Sequence, residues 1–245
     1  MKIELKELTI GDLTAGYEDN EENGVVGYDG KLDIRPPYQR EFIYKDKQRE
    51  AVIATVFKGF PLNVMYWAAR DDGGFEVIDG QQRLATLTVL ACVLRDLVRR
   101  DGHALPELDR MIGGSSEEST PTRCRLQMRG SAQHTMATCI QAPGATLVEA
   151  ARENLSESEA LLLAVRDQFV EALADRDTAT LMRLAAFLHD ACSVVVITSR
   201  DVDRAHRTFA ALNNRGRPLE RCDIINAELM DSVTGDELAR LQRDW

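Results

Sequence analysis

One pentapeptide of this chain carries side chains suited to binding a phosphate ester. It is Asp79-Gly80-Gln81-Gln82-Arg83, and it follows an apolar stretch at residues 75–78. Glycine lets a ligand approach the backbone, the two glutamines offer amide donors, and Arg83 offers a planar fork that matches phosphate oxygens. Asp79 could hold a divalent cation, most simply Mg²⁺, or orient a water molecule. Together these residue types indicate a nucleotide site.

The local pattern predicts the elements that would position this pentapeptide. Residues 75–78 are typical of a short strand, and an apolar stripe at helical spacing predicts a helix that continues to about Arg100. The start of a helix exposes backbone N–H groups and the positive end of the helix dipole, which favours anions. The alternative is purely structural: Asp79 would cap the helix and Gly80 would make a tight turn.

Outside this junction, the pattern predicts an α/β chain of the α+β kind. Alternating apolar residues predict hairpins at residues 25–34 and 62–78, and a β-branched run predicts a buried strand at 193–198. Residues 5–17 are expected to form a short helix. Further helices are expected at residues 46–58, 131–140, 156–174 and 178–192.

The composition is that of a globular protein with an acidic balance. Of the 245 residues, 44% are hydrophobic and 29% are charged, which is enough for a substantial core. The net charge of −10 argues against a protein coated in positive potential for sequence-blind DNA binding. The net charge does not exclude a local basic groove that binds DNA. The candidate residues for such a groove are Arg40, Lys45, Arg49, Arg204 and Arg207.

Several other features argue for a plain intracellular protein without disulfides. The five cysteines are scattered and never spaced as CxxC, so free thiols are expected. No apolar run approaches the ~20 residues of a membrane span, and the N-terminus does not begin a signal peptide, so we expect no membrane contact and a cytoplasmic location. His189 and Asp190 adjoin, but adjacent helical residues point apart, so a surface or capping role is expected.

Three short stretches, taken in order, resemble one known family. They are Pro37-Tyr38-Gln39-Arg40, then Ile78-Asp79-Gly80-Gln81-Gln82-Arg83, then residues 209–219 with the sequence FAALNNRGRPL. Their order and spacing resemble the DUF262 family, the N-terminal domain of GmrSD-type modification-dependent restriction enzymes. The likeness runs over about residues 5–230 and is weakest at 102–174.

The resemblance implies a ParB/sulfiredoxin-like core, in which a small mixed sheet with helices is followed by a mainly helical C-terminal half. It also implies that the central turn binds, and often hydrolyses, a nucleoside triphosphate, and that the domain senses DNA or its modification and controls a nuclease. Carried over by motif, the catalytic residues are Asp79, Gln81, Gln82 and Arg215. The nucleotide-binding residues are Gly80, Arg83, Tyr38, Gln39, Arg40, Asn213 and Gly216.

The predicted division of the chain follows from the same pattern. Residues 1–112 are expected to form the ParB-like core, and residues 113–122, rich in glycine and serine, a flexible loop. Residues 123–245 are expected to be mainly helical with the strand at 193–198, and their N-x-R-G motif would complete the site. No histidine cluster of the HNH type follows before the sequence ends at Trp245, so no nuclease activity is assigned to this chain. A nuclease effector would be a fused or a separate partner, or would not exist.

Three functional hypotheses remain at this point. The leading one is a nucleotide-binding module that hydrolyses a nucleoside triphosphate with Mg²⁺ and senses DNA or its modification for a restriction system in antiviral defence. The second is a non-catalytic DNA-binding module in which nucleotide is absent or only structural. The third is an interaction protein with a decayed site, whose C-terminal apolar stripe is covered by a partner. The sequence leaves the nucleotide base, the DNA modification and a homo-oligomeric state open.

Overall fold

The computed structural model describes residues 4–15, 18–20, 24–28, 32–33, 55–56, 62–113 and 132–199. The strands are β1 (Glu4–Thr9), β2 (Glu18–Asn20), β3 (Gly24–Gly27), β4 (Leu32–Asp33), β5 (Leu62–Ala69), β6 (Phe75–Asp79) and β7 (Ser193–Ser199). The α-helices are α1 (Ile10–Thr14), α2 (Gln81–Arg100), α3 (Pro106–Ile112), α4 (Ala132–Met136), α5 (Glu157–Leu173) and α6 (Thr178–Ala186). Short π-helical turns follow α4 at Ala137–Gln141 and α6 at Phe187–Ala191, and a 3₁₀ turn lies at Ala145–Leu147.

The described strands form one mixed sheet in the order β1-β7-β5-β6-β4-β3-β2. β5 and β6 form an antiparallel hairpin, β4 runs parallel to β6, and β7 lies between β1 and β5, parallel to β5. The α/β class with a mixed sheet is therefore confirmed. β7 belongs to the predicted helical half, yet it lies within the sheet, between β1 and β5. The division at residues 113–122 stays a prediction.

One face of the central strands forms the core. Met65 and Trp67 of β5 and Val194 and Val196 of β7 alternate onto this face, and each is almost fully buried. β-branched residues suit such a strand because they pack well on a pleated surface. The helix α2 is buried over almost its whole length and contacts α3, α5 and α6. It is therefore the central helix of the layer rather than an amphipathic surface helix.

A buried ion pair on α2 fixes the neighbouring loop. Nε of Arg95 lies 2.8 Å from Oδ1 of Asp96, and the Arg95 guanidinium donates to the carbonyls of Gln141 and Ala142 at 2.9 Å each. Asp96 in turn accepts from both the backbone N–H and the hydroxyl of Thr146. Both charges are compensated by several hydrogen bonds, so we infer that this pair has a structural role and holds the loop at residues 141–146 against the core.

Most predicted elements are confirmed, and one is wrong. The hairpin at 62–78, the helices at 156–174 and after residue 80, and the strand at 193–198 all form. Residues 5–17 do not form one helix, because Glu4–Thr9 pairs along its whole length with β7 and Ser193 donates a hydrogen bond to Glu7. Only Ile10–Thr14 is helical, and it begins at a capping box made by Thr9 and Asp12.

A candidate nucleotide site at the strand–helix junction

A β-bulge in β6 sets the direction of Asp79. Trp67 of β5 pairs with Val77, but the next residue, Tyr66, pairs with Asp79, so Ile78 has no residue opposite it. An extra residue of this kind re-aims the side chains that follow it. Asp79 thus shares a face with Tyr66 instead of with Val77, which is buried in the core.

Glycine is required at the turn that follows. Gly80 has φ 125° and ψ −6°, a conformation that side-chain-bearing residues rarely adopt. A Cβ at this position would also lie 2.5 Å from Cε of Met65, which is fully buried in β5. The turn therefore lets the backbone approach the sheet closely. The prediction of a strand, a glycine turn and a helix beginning at Gln81 is confirmed.

The start of α2 has no side-chain cap. Its N-cap residue is Gly80, and the first intrahelical bond runs from the Leu84 N–H to the Gly80 carbonyl at 3.0 Å. The alternative in which Asp79 caps the helix is therefore wrong: Asp79 precedes the N-cap, and its carboxylate accepts from an arginine side chain instead. A helix start with no capping side chain retains the positive end of its dipole for an anion.

Asp79 and Arg83 form an ion pair across the turn. Nη2 of Arg83 lies 2.5 Å from Oδ2 of Asp79, and their side chains are 13% and 30% exposed respectively. The spacing of four residues brings the guanidinium back over the first turn of α2 to the end of β6. The structure thus places together the two residues for which the sequence predicted cation and phosphate contacts. Neither of those contacts is tested.

The two glutamines differ in their surroundings. Nε2 of Gln81 donates to the Val77 carbonyl at 3.2 Å, so this amide spans the bulge and ties the helix start to β6. Gln82 is partly buried, and its backbone carbonyl accepts from the Thr86 hydroxyl at 2.9 Å. The sequence assigned both glutamines to catalysis without separating them. The contact of Gln81 gives its side chain a structural role at the start of α2.

Tyr66 is a site residue that the sequence did not reveal. It lies directly across the ladder from Asp79 and is partly buried. Burial raises the pKa of the Tyr66 hydroxyl, the charge of Asp79 raises it further, and the charge of Arg83 opposes that change. Counting back from the hairpin turn would place Tyr66 opposite Ile78. Only the bulge brings it to Asp79, and no residue pattern signals that bulge.

Asp79 fits Mg²⁺ as one ligand among several. The described residues contain no group of three or more His, Cys, Asp or Glu side chains that could hold a metal ion by themselves. Magnesium in nucleotide sites commonly takes one or two carboxylates and completes its shell with phosphate oxygens and waters. A single carboxylate beside an uncapped helix start is compatible with that arrangement, and Asp79 as a magnesium ligand stays a prediction.

The remaining predicted site residues lie outside the described part of the chain. They comprise the early motif, the late motif and the candidate basic groove: Tyr38, Gln39, Arg40, Lys45, Arg49, Arg204, Arg207, Asn213, Arg215 and Gly216.

The expectation that His189 and Asp190 point apart is wrong. Their Nδ1 and Oδ1 atoms lie 2.6 Å apart in the π-helical turn after α6. A Cβ on Gly11 of α1 would come within 2.9 Å of Cε1 of His189, so the ring lies close against that backbone. The packing on α1 accounts for the position of the ring.

The geometry of the junction can now be compared with known proteins. The family model described as GmrSD restriction endonuclease, N-terminal domain, matches residues 19–230. No curated protein matches the chain. None of the described helices is long and apolar enough to cross a membrane. The family match spans most of the chain and includes all three motifs, and it indicates a module of a restriction system. The chain therefore belongs to the family of GmrSD N-terminal domains, the DUF262 domains.

Proposed function

We propose that the junction between β6 and α2 binds a nucleoside triphosphate and hydrolyses it, and that the chain uses this reaction to sense DNA for its restriction system. The observation that carries the proposal is the Asp79–Arg83 pair, set across an uncapped helix start behind a glycine turn. A carboxylate, a guanidinium and oriented backbone N–H groups at one point are the parts that phosphoryl transfer needs.

Binding would place phosphate oxygens at the first turn of α2. The positive end of the helix dipole and the N–H groups of that turn favour negative charge there. Arg83 would add a guanidinium whose fork matches two phosphate oxygens. The absence of a Cβ on Gly80 keeps the backbone open to close approach. The base and ribose would contact residues of the early and late motifs, among them Tyr38, Gln39 and Asn213.

In hydrolysis, neighbouring side chains would have different roles. Asp79 would hold Mg²⁺, which when bound supplies positive charge against the phosphates. Gln81 or Gln82 would orient the attacking water or a phosphate oxygen. The Gln81 amide also holds the start of the helix at the bulge, because it donates to the Val77 carbonyl. Arg215 of the late motif would neutralise charge that develops in the transition state, and Arg40 and Gly216 would complete the pocket.

Phosphate release tests the enzymatic part of the proposal. The chain is incubated with each of the four ribonucleoside triphosphates and Mg²⁺, alone, with plain DNA and with modified DNA. We expect turnover with at least one nucleotide, a change in rate when DNA is added, and loss of turnover in Asp79→Ala. Absence of turnover under every condition would leave a binding module instead of an enzyme.

Nucleotide binding tests the site itself. We expect Arg83→Ala to lose nucleotide affinity while its circular dichroism stays that of the wild type. Arg99→Ala is a matched control, because Arg99 lies on the same helix α2 and pairs with Asp109 at 2.8 Å at the opposite end. An unchanged affinity in Arg83→Ala would contradict the placement of the phosphates at this junction.

A further inference from the structure

The Asp79–Arg83 ion pair occupies the groups that the proposed site would use. Nη2 of Arg83 and Oδ2 of Asp79 are in direct contact at 2.5 Å. While that contact lasts, each of the two charges is neutralised by the other, so a phosphate gains less from Arg83 and a cation gains less from Asp79 than either would from an unpaired group. Both side chains are partly buried, so solvent weakens their attraction somewhat less than it would on an open surface.

Neither ligand alone replaces the pair well. A phosphate that draws Arg83 away leaves the carboxylate of Asp79 beside a new negative charge. A cation that draws Asp79 away leaves the guanidinium beside a new positive charge. When both ligands bind, Arg83 exchanges the negative charge of Asp79 for that of the phosphate, and Asp79 exchanges the positive charge of Arg83 for that of the cation. Every charge then still has a partner of opposite sign. The Asp79–Arg83 contact is therefore broken at least cost by a cation and a phosphate together.

We propose that the Asp79–Arg83 ion pair is a latch that disfavours the binding of free nucleotide and is released at least cost by a nucleotide bound together with a divalent cation. The inference rests on the proposed function and adds to it the rule by which the site is regulated. It makes the cation and the nucleotide thermodynamically coupled, so each raises the affinity for the other by the same factor.

Asp79→Asn separates the latch from ordinary metal dependence. If Mg²⁺ acted only as a bridge between Asp79 and the phosphates, the variant would bind nucleotide weakly in every buffer. If Asp79 holds Arg83 back, removing its charge frees the guanidinium, and the variant binds without a cation. The amide keeps the shape of the carboxylate, so the side-chain packing is preserved.

The experiment is a calorimetric titration of the 245-residue chain with the slowly hydrolysed analogues ATPγS, GTPγS, CTPγS and UTPγS, in Mg²⁺ and in EDTA. For wild type we expect the tightest-binding analogue to lose about tenfold or more in affinity when Mg²⁺ is removed, within the usual range of coupling between sites. In EDTA we expect Asp79→Asn to bind it about tenfold tighter than wild type. Asp109→Asn is the matched control, because its pair with Arg99 lies at the other end of α2, and it should behave as wild type.

Each outcome decides one of the two claims. Wild-type affinity that is equal in Mg²⁺ and EDTA overturns the latch and leaves the proposed function standing. Weak binding of Asp79→Asn in EDTA also overturns the latch. No binding of any of the four analogues by wild type in Mg²⁺ overturns the proposed function, and the latch with it. If Asp79→Asn does not fold, Asp79→Ala takes its place, because it also removes the charge that pairs with Arg83. Together with the wild-type titration, its affinity in EDTA then tests the latch by the same criterion.

Discussion

Replacing Gly80 by alanine is expected to test the close approach between the turn and the sheet. The substitution forces a Cβ into a backbone with φ 125° and places it 2.5 Å from Cε and 2.9 Å from Cγ of Met65. Strain at an unfavourable φ costs on the order of 1–3 kcal/mol. Overpacking of a buried side chain adds about 1–3 kcal/mol. Met65 can reduce that cost by changing rotamer, because its side chain is flexible. We therefore expect a loss of about 3–4 kcal/mol in the free energy of unfolding.

Gly73→Ala provides the control for backbone strain alone. Gly73 also has a positive φ, 84°, but a Cβ there would meet no atom within 4 Å. Its replacement should cost only about 1–2 kcal/mol. Urea unfolding followed by circular dichroism measures both variants, and the difference between them, about 2 kcal/mol, is the part attributable to Met65.

A double-variant cycle completes the test. In a Met65→Ala background the obstructing side chain is absent, so Gly80→Ala should cost no more than Gly73→Ala does in wild type. The coupling between the two positions should then be about 2 kcal/mol. Equal losses for Gly80→Ala and Gly73→Ala in wild type, or a coupling near zero, would refute the claim that Met65 requires a glycine at the turn.

Three further predictions concern other parts of the structure. Arg83→Ala should lose nucleotide binding but lower the free energy of unfolding by only about 1 kcal/mol, because a partly exposed pair contributes little; a larger loss in urea unfolding would show that Arg83 is chiefly structural. Asp96→Ala should lower the free energy of unfolding by about 3–5 kcal/mol, because it leaves the buried charge of Arg95 uncompensated; a loss under 1 kcal/mol would contradict that assignment. Burial raises the pKa of the Cys192 thiol to about 11 from an ordinary 9.0, so the folded protein keeps a proton that the unfolded chain loses. Stability should therefore decline as the pH rises from about 9 towards 11, and Cys192→Ser should reduce that decline.

Local signals explain what the sequence could predict at this site. Gly80 follows an apolar run, which predicts the end of a strand, and the helical spacing of apolar residues after it predicts α2. Both elements, and the place of residues 79–83 between them, could therefore be predicted from the sequence. The contact between Asp79 and Arg83 follows from their spacing of four residues once the helix is placed. These features depend on neighbours along the chain.

The features that the pattern missed depend on distant parts of the chain. The bulge at Ile78 is set by the match between β5 and β6 under the packed core, and it alone brings Tyr66 to Asp79. Residues 4–9 have a pattern that suits a helix, but pairing with β7, far along the chain, makes them a strand. Tertiary pairing overrides a local preference of this size.

The position of β7 has a consequence for the order in which the protein folds. Within the described residues, β1 pairs only with β7, and β7 is also the parallel neighbour of β5. The hairpin of β5 and β6 and the helix α2 can form from nearby sequence, but β1 has no strand to pair with until Ser193–Ser199 has left the ribosome. Of the described strands, β1 comes first along the chain and is thus among the last to be incorporated into the sheet. A contact of such long sequence separation slows folding.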